Sequence, residues 1–171
     1  GGVGKTTVTA NLGMHLASKN YRVCMLDMDI GLNNLDVVMN VEERVIYTMM
    51  DIIENRCRVK EALIQDDYFP LLFVLSCGGL NRNLSISISQ IKQIIFELEQ
   101  LFDFVLIDCP AGIDAGFKRA VSCADEAIVV TTPHLSSVRD ADKVVTILSS
   151  LCLGFSVLFV QMDLLYAMIR W

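Results

Sequence analysis

Gly1-Gly2-Val3-Gly4-Lys5-Thr6-Thr7 is the stretch on which the reading of the chain turns. Glycines let a backbone curl so that successive N–H groups point at phosphate oxygens. A helix that follows adds its positive N-terminal end. In the pattern GxxxxGK[ST] the lysine reaches the β- and γ-phosphates and the hydroxyl ligates Mg²⁺. Here those positions are Lys5 and Thr6. Gly1, Gly2, Val3, Gly4, Lys5, Thr6 and Thr7 are the candidate nucleotide-binding set, with ATP and Mg²⁺ as the expected ligands. The first Gly of the pattern would lie before residue 1, and so would the buried strand that such a loop follows. The expectation is therefore a chain cut at its N-terminus, with no initiator Met and no signal-peptide pattern. The competing reading is a Gly-rich turn that merely caps a helix.

Outward from the loop, apolar runs alternate with helix-like stretches, the pattern of βαβ units and a parallel sheet. Thr6 to about Asn20 reads as a helix with Val8, Leu12 and Leu16 on one face. Arg22–Asp27, Leu71–Leu75, Phe104–Ile107, Glu126–Thr131 and Val157–Val160 read as strands. Thr48–Asn55 and Val59–Ile64 read as short helices, and Ser76–Ser87 as a polar loop. Ser89 is expected to cap a helix to about Leu101, since Ile91, Ile94, Ile95, Leu98 and Leu101 recur at steps of three and four. Ser136 or Ser137 is expected to open a helix to about Ser150. Val144–Met162 carries no charge, which raises a membrane span. Thr146, Ser149, Ser150, Gly154 and Ser156 interrupt it, so helix–turn–strand is the better reading. The fold class is α/β: a P-loop NTPase with a mostly parallel sheet, helices on both faces and the first strand missing.

Two sets of acids support the loop. Asp108 closes the apolar strand Phe104-Val105-Leu106-Ile107, where a strand-end carboxylate suits a contact to Mg²⁺ through water. Asp27 and Asp29, in Met25-Leu26-Asp27-Met28-Asp29, stand just beyond another strand. Ligands of open α/β sheets bind beyond the carboxyl ends of strands, so these groups should gather there. Each acid alone could equally be an exposed strand-end carboxylate.

Composition narrows the class. The chain has 171 residues, net charge −6, 53% hydrophobic and 20% charged residues. That is one domain's worth of chain with material for a large core, and it excludes a disordered tail. The acidic balance argues against an electrostatic grip on nucleic acid or anionic lipid. Cys24, Cys57, Cys77, Cys109, Cys123 and Cys152 are scattered with no CxxC spacing, which disfavours zinc or an iron–sulfur clamp and suggests buried free thiols.

Taken together, the loop at Gly1–Thr7, Asp27-Met28-Asp29-Ile30-Gly31-Leu32-Asn33-Asn34-Leu35-Asp36 and Asp108-Cys109-Pro110-Ala111-Gly112-Ile113-Asp114-Ala115-Gly116-Phe117 resemble the MinD/ParA family of deviant Walker A ATPases. Ala62–Asp66, Ala124–Ala127, Val130–Pro133 and Val138–Asp142 continue the resemblance to about residue 150, and 151–171 diverge. The resemblance implies one incomplete ATPase domain over 1–171, dimerising around two ATP molecules. It implies a role in placing the division site, ATP-dependent membrane attachment, recruitment of the division inhibitor MinC and release by MinE. By carry-over, Lys5 holds phosphates, Thr6 holds Mg²⁺, Asp29 positions the attacking water, Asp108 is the Walker B acid and Asp27 starts the first switch. Asn33–Asn34 and Arg139–Asp142 would lie near the dimer and partner surface.

Some features depart from the family. Its signature lysine precedes the first Gly and so lies outside the chain, as does its C-terminal amphipathic membrane helix. Asn33 stands where many relatives carry Arg, and Gln161-Met162-Asp163 stands where a strand ending in an adenine-contacting Asn is expected. The implied location is cytoplasmic, peripheral on the inner membrane, or alternatively the plastid stroma and inner envelope. Three other readings remain open: a ParA-type DNA-partition ATPase, an iron–sulfur carrier hinted at by Cys77-Gly78-Gly79, and a truncated, catalytically impaired remnant.

Overall fold

The computed structural model describes residues 2–29, 34–79, 86–151 and 153–160. These form two compact units, one of the described residues within 6–123 and the other of 2–5 with those of 124–160.

The first unit is built on a sheet of β2 (Ile64–Gln65), β3 (Leu72–Leu75), β1 (Val23–Asp27) and β4 (Phe104–Asp108), in the order β2-β3-β1-β4. β1 runs parallel to β3 and to β4, and β2 is antiparallel to β3. β1 sits inside the order and all five of its residues are buried, as its unbroken apolar run requires. Its side chains part to two cores. Val23 and Met25 join Ala10 and Ala17 of α1 (Lys5–Ser18) and Leu35 of α2 (Asn34–Val38) on one face. Cys24 and Leu26 join α3 (Met49–Ile53), α4 (Val59–Ala62), α5 (Ile88–Glu99) and Ala120 of α6 (Ala115–Val121) on the other. Helices therefore cover both faces of this sheet. The second unit pairs β5 (Glu126–Thr131) in parallel with β6 (Gly154–Phe159), the two joined by α7 (Leu135–Ser150).

Several local expectations shift. The buried stripe of α1 is Ala10, Gly13 and Ala17, while Val8, Leu12 and Leu16 are only half-buried. Small residues win because the helix lies close on the sheet: a Cβ at Gly13 would meet Met25 Sδ at 2.5 Å and Leu72 Cδ1 at 3.2 Å. Ser87, not Ser89, caps α5. Its hydroxyl accepts the Gln90 N–H at 3.2 Å and the Gln90 side chain accepts the Ser87 N–H at 3.0 Å, a reciprocal pair that Ser89 has no partner to form. α7 begins at Leu135 with no side-chain cap, and the Ser137 hydroxyl instead accepts from Thr132 at 2.9 Å. β6 starts earlier than Val157, paired along its length with β5. Within the uncharged stretch from Val144, a helix gives way to this strand, and no helix of the described residues is long and apolar enough to cross a membrane. The short helices α2 and α6 and the two-residue β2 were not expected, being too brief to show a hydrophobic period.

Candidate functional site

The carboxyl ends of β1 and β4 place three acids together in the first unit. Parallel register sets Asp27 beside Asp108, and the Met28 N–H donates to the Asp108 carbonyl at 3.0 Å. Asp108 is 3% exposed. Its carboxylate accepts the Thr6 hydroxyl at 2.6 Å and the Thr9 hydroxyl at 3.4 Å. The first turns of α1 thus lie against the end of β4. Thr9 was missed in the sequence. Its one signal is the spacing of three from Thr6, which puts both hydroxyls on one helix face. A threonine hydroxyl within bonding distance of a buried carboxylate is an all-oxygen set of the kind Mg²⁺ accepts. Among the described residues no three His, Cys, Asp or Glu side chains gather to hold a metal. Thr6 and Asp108 are the residues that would hold a Mg²⁺ there.

Asp27 does different work. Its carboxylate is fully buried, with one oxygen accepting the Asp29 N–H at 2.8 Å and the other the Leu35 N–H at 3.1 Å. One side chain thus holds both the Asp29 amide and the Leu35 amide of α2. Burial pushes the Asp27 carboxyl up to about 6; the two amides oppose this, and the charges of Asp108 and Asp36 add to it. Asp29 is half-buried at the edge of this cluster.

The loop enters α1 with Lys5 as the first helical residue. Gly2 and Gly4 have φ of 80° and 93°, left-handed values that favour glycine. A Cβ at either would meet nothing within 4 Å among the described residues, so conformation, not crowding, is what demands glycine. Val3 is half-buried and Thr7 exposed, with the Thr7 carbonyl accepting from Asn11 at 2.8 Å. Gly1, Asn33 and Gln161-Met162-Asp163 lie outside the described residues. Arg139, Asp140 and Asp142 are exposed on α7. Cys77 is buried in the core, where burial pushes its thiol up to about 12. At Gly78 a Cβ would meet Thr48 Oγ1 at 2.6 Å. Cys77 is thus held as a core side chain and Gly78 lies tight against Thr48, while Gly79 is exposed.

A family model described as an AAA domain matches residues 1–152. The septum site-determining protein MinD of Bacillus subtilis (strain 168) is 52% identical over 149 residues, covering 86% of this chain and 56% of that protein. The chain belongs to the MinD family of P-loop proteins. Solved MinD-family structures share its fold. The MinC:MinD cell division protein complex of Aquifex aeolicus superimposes with a TM-score of 0.84 at 38% identity, covering 93% of this chain and 64% of that one. MinD of Pyrococcus horikoshii OT3, solved with Mg-ADP, gives 0.80 at 32% identity, covering 91% and 63%. The α/β fold of P-loop NTPases is therefore the fold of this chain. The chain spans about half the length of the curated MinD relatives it matches.

Proposed function

We propose that the intact protein is a MinD-like ATPase that binds and hydrolyses ATP in a nucleotide-sandwich homodimer and cycles on and off a membrane to control where division occurs. The hydrogen bond from Thr6 to Asp108 carries this reading, because it joins the helix that leaves the glycine loop to the strand-end acid. When bound, Mg-ATP supplies the reacting phosphoryl group and the counter-charge its transfer needs. Gly2 to Gly4 would present backbone N–H groups to phosphate oxygens, and the Lys5 ammonium would neutralise them. Thr6 would hold the metal through its hydroxyl oxygen, and Asp108, which accepts that hydroxyl, would be the strand-end acid beside it. Asp29 accepts a hydrogen bond from the attacking water and aligns it. Catalysis in such sites is positioning and charge stabilisation, so the loss of one participant is costly.

MinC-like and MinE-like proteins are the proposed partners; a MinD relative has been solved in complex with MinC. Membrane attachment would use a C-terminal helix of the kind the family carries, and nucleic acid is not a proposed ligand. The proposed location is the cytoplasmic face of the inner membrane, or the plastid stroma and inner envelope.

The test uses the intact protein. Lys5→Ala is expected to abolish binding of a fluorescent ATP analogue. Asp29→Ala is expected to retain that binding while phosphate release slows by about 10²-fold or more. Wild-type turnover in Asp29→Ala would remove Asp29 from the mechanism.

A further inference from the structure

Asp36 lies in α2 and is 2% exposed, and Ser76, just beyond β3, is fully buried. The Ser76 hydroxyl donates to one Asp36 carboxylate oxygen at 2.6 Å across 40 positions of sequence. The other Asp36 oxygen has no hydrogen-bond partner among the described residues. A buried carboxylate held by one hydroxyl is a poor device for stability alone, since an unmet acceptor in the interior is unfavourable. Its geometry makes sense as a tie.

The Ser76 end of that tie is held by further contacts. The Ser76 carbonyl accepts the Met49 N–H at 2.8 Å, and the turn at Gly78 packs on Thr48. The Asp36 end is not self-supporting, because α2 spans only Asn34–Val38 and so short a helix takes its position from tertiary contacts. Leu35, next to Asp36, donates its N–H to Asp27, the same carboxylate that accepts the N–H of Asp29. Any displacement of α2 is therefore passed through one shared side chain to Asp29.

We infer that Ser76 and Asp36 are a positioning pair for Asp29: their buried hydrogen bond fixes α2, and α2, through the Leu35 N–H, holds the Asp27 carboxylate that also anchors the Asp29 N–H. The inference rests on the proposed ATPase reading. Neither residue touches nucleotide, so binding should be spared while the chemical step suffers.

In the intact protein, Ser76→Ala is expected to lower kcat about tenfold, as small misplacements of reacting groups do, with affinity for a fluorescent ATP analogue unchanged. Amide exchange at Leu35 and Asp36 should quicken. Asp36→Asn keeps an acceptor oxygen for Ser76 and is expected to retain most of kcat. If Ser76→Ala is too unstable to assay, Asp36→Leu fills the site without the hydrogen bond and should show the same loss. Wild-type kcat in Ser76→Ala or Asp36→Leu overturns the inference, as does a kcat loss matched by lost nucleotide affinity. Asp29→Ala in parallel separates the two levels. If it slows turnover and Ser76→Ala does not, only the pair is rejected. If Asp29→Ala itself turns over normally, the ATPase mechanism fails and the pair with it.

Discussion

Asp27 joins the site's geometry to its electrostatics. Its ordinary value is 3.8, and burial first of all raises it to about 6 in the folded protein. Between those values the folded chain holds a proton that the unfolded chain has released. Stability therefore falls as pH rises from about 4 to about 6 and is steady above that, as far as this group is concerned. In nucleotide-free protein, denaturant unfolding at pH 4.5 and pH 7 should show that loss in wild type and a flatter profile in Asp27→Asn. An unchanged slope in the variant would assign the titration to another group. The Asn variant should also be less stable throughout, because its amide NH₂ cannot accept one of the two N–H groups that Asp27 now satisfies. The acids at 27, 29 and 108 could be singled out in sequence because each follows an apolar strand. The division of labour among them could not, because it depends on which amides and hydroxyls reach each oxygen.

At the level of elements, the contact of α1 with the sheet is set by Gly13. Removing a glycine from a helix interior would ordinarily gain about 1 kcal/mol for alanine. Here a Cβ runs into buried Met25 and Leu72, and overpacking a tight core costs about 1–3 kcal/mol. Gly13→Val, with a smaller helix gain and a larger clash, should lower the unfolding free energy by about that amount, measured by denaturant titration. Stability at or above wild type would show that Met25 repacks freely. The helical period of α1 was visible in the sequence, but which side faces the sheet was not. Val8, Leu12 and Leu16 form the more apolar stripe, yet close approach selects the smaller one. α5 reads the other way. Its period of Ile91, Ile94, Ile95 and Leu98 is buried as expected, because large apolar residues at those steps leave one face to bury. Only its cap shifted, from Ser89 to Ser87, once the Gln90 side chain was placed.

The whole chain carries a net charge of −6, and non-specific DNA binding draws its affinity from cations that neutralise phosphates. Filter retention of duplex DNA should therefore be weak at about 50 mM salt and show no steep salt dependence; tight, salt-sensitive retention would instead favour the DNA-partition reading. By itself the sequence determined the fold class and the places of the glycine loop and the strand-end acids. Those depend on local chemistry: glycine's backbone freedom, the period of apolar residues, and a carboxylate at the end of a buried strand. The tertiary structure decided that Thr6 and Thr9 meet Asp108, that Asp27 holds the amides of Asp29 and Leu35, and that Ser76 reaches Asp36. The hydroxyl–carboxylate pairs among these join residues far apart in the chain, from 40 positions for Ser76 to 102 for Thr6, and arise only when β1, β3 and β4 pair in register; the amides on Asp27 come from 2 and 8 positions away. No local pattern encodes that pairing, because it is fixed by how whole elements pack.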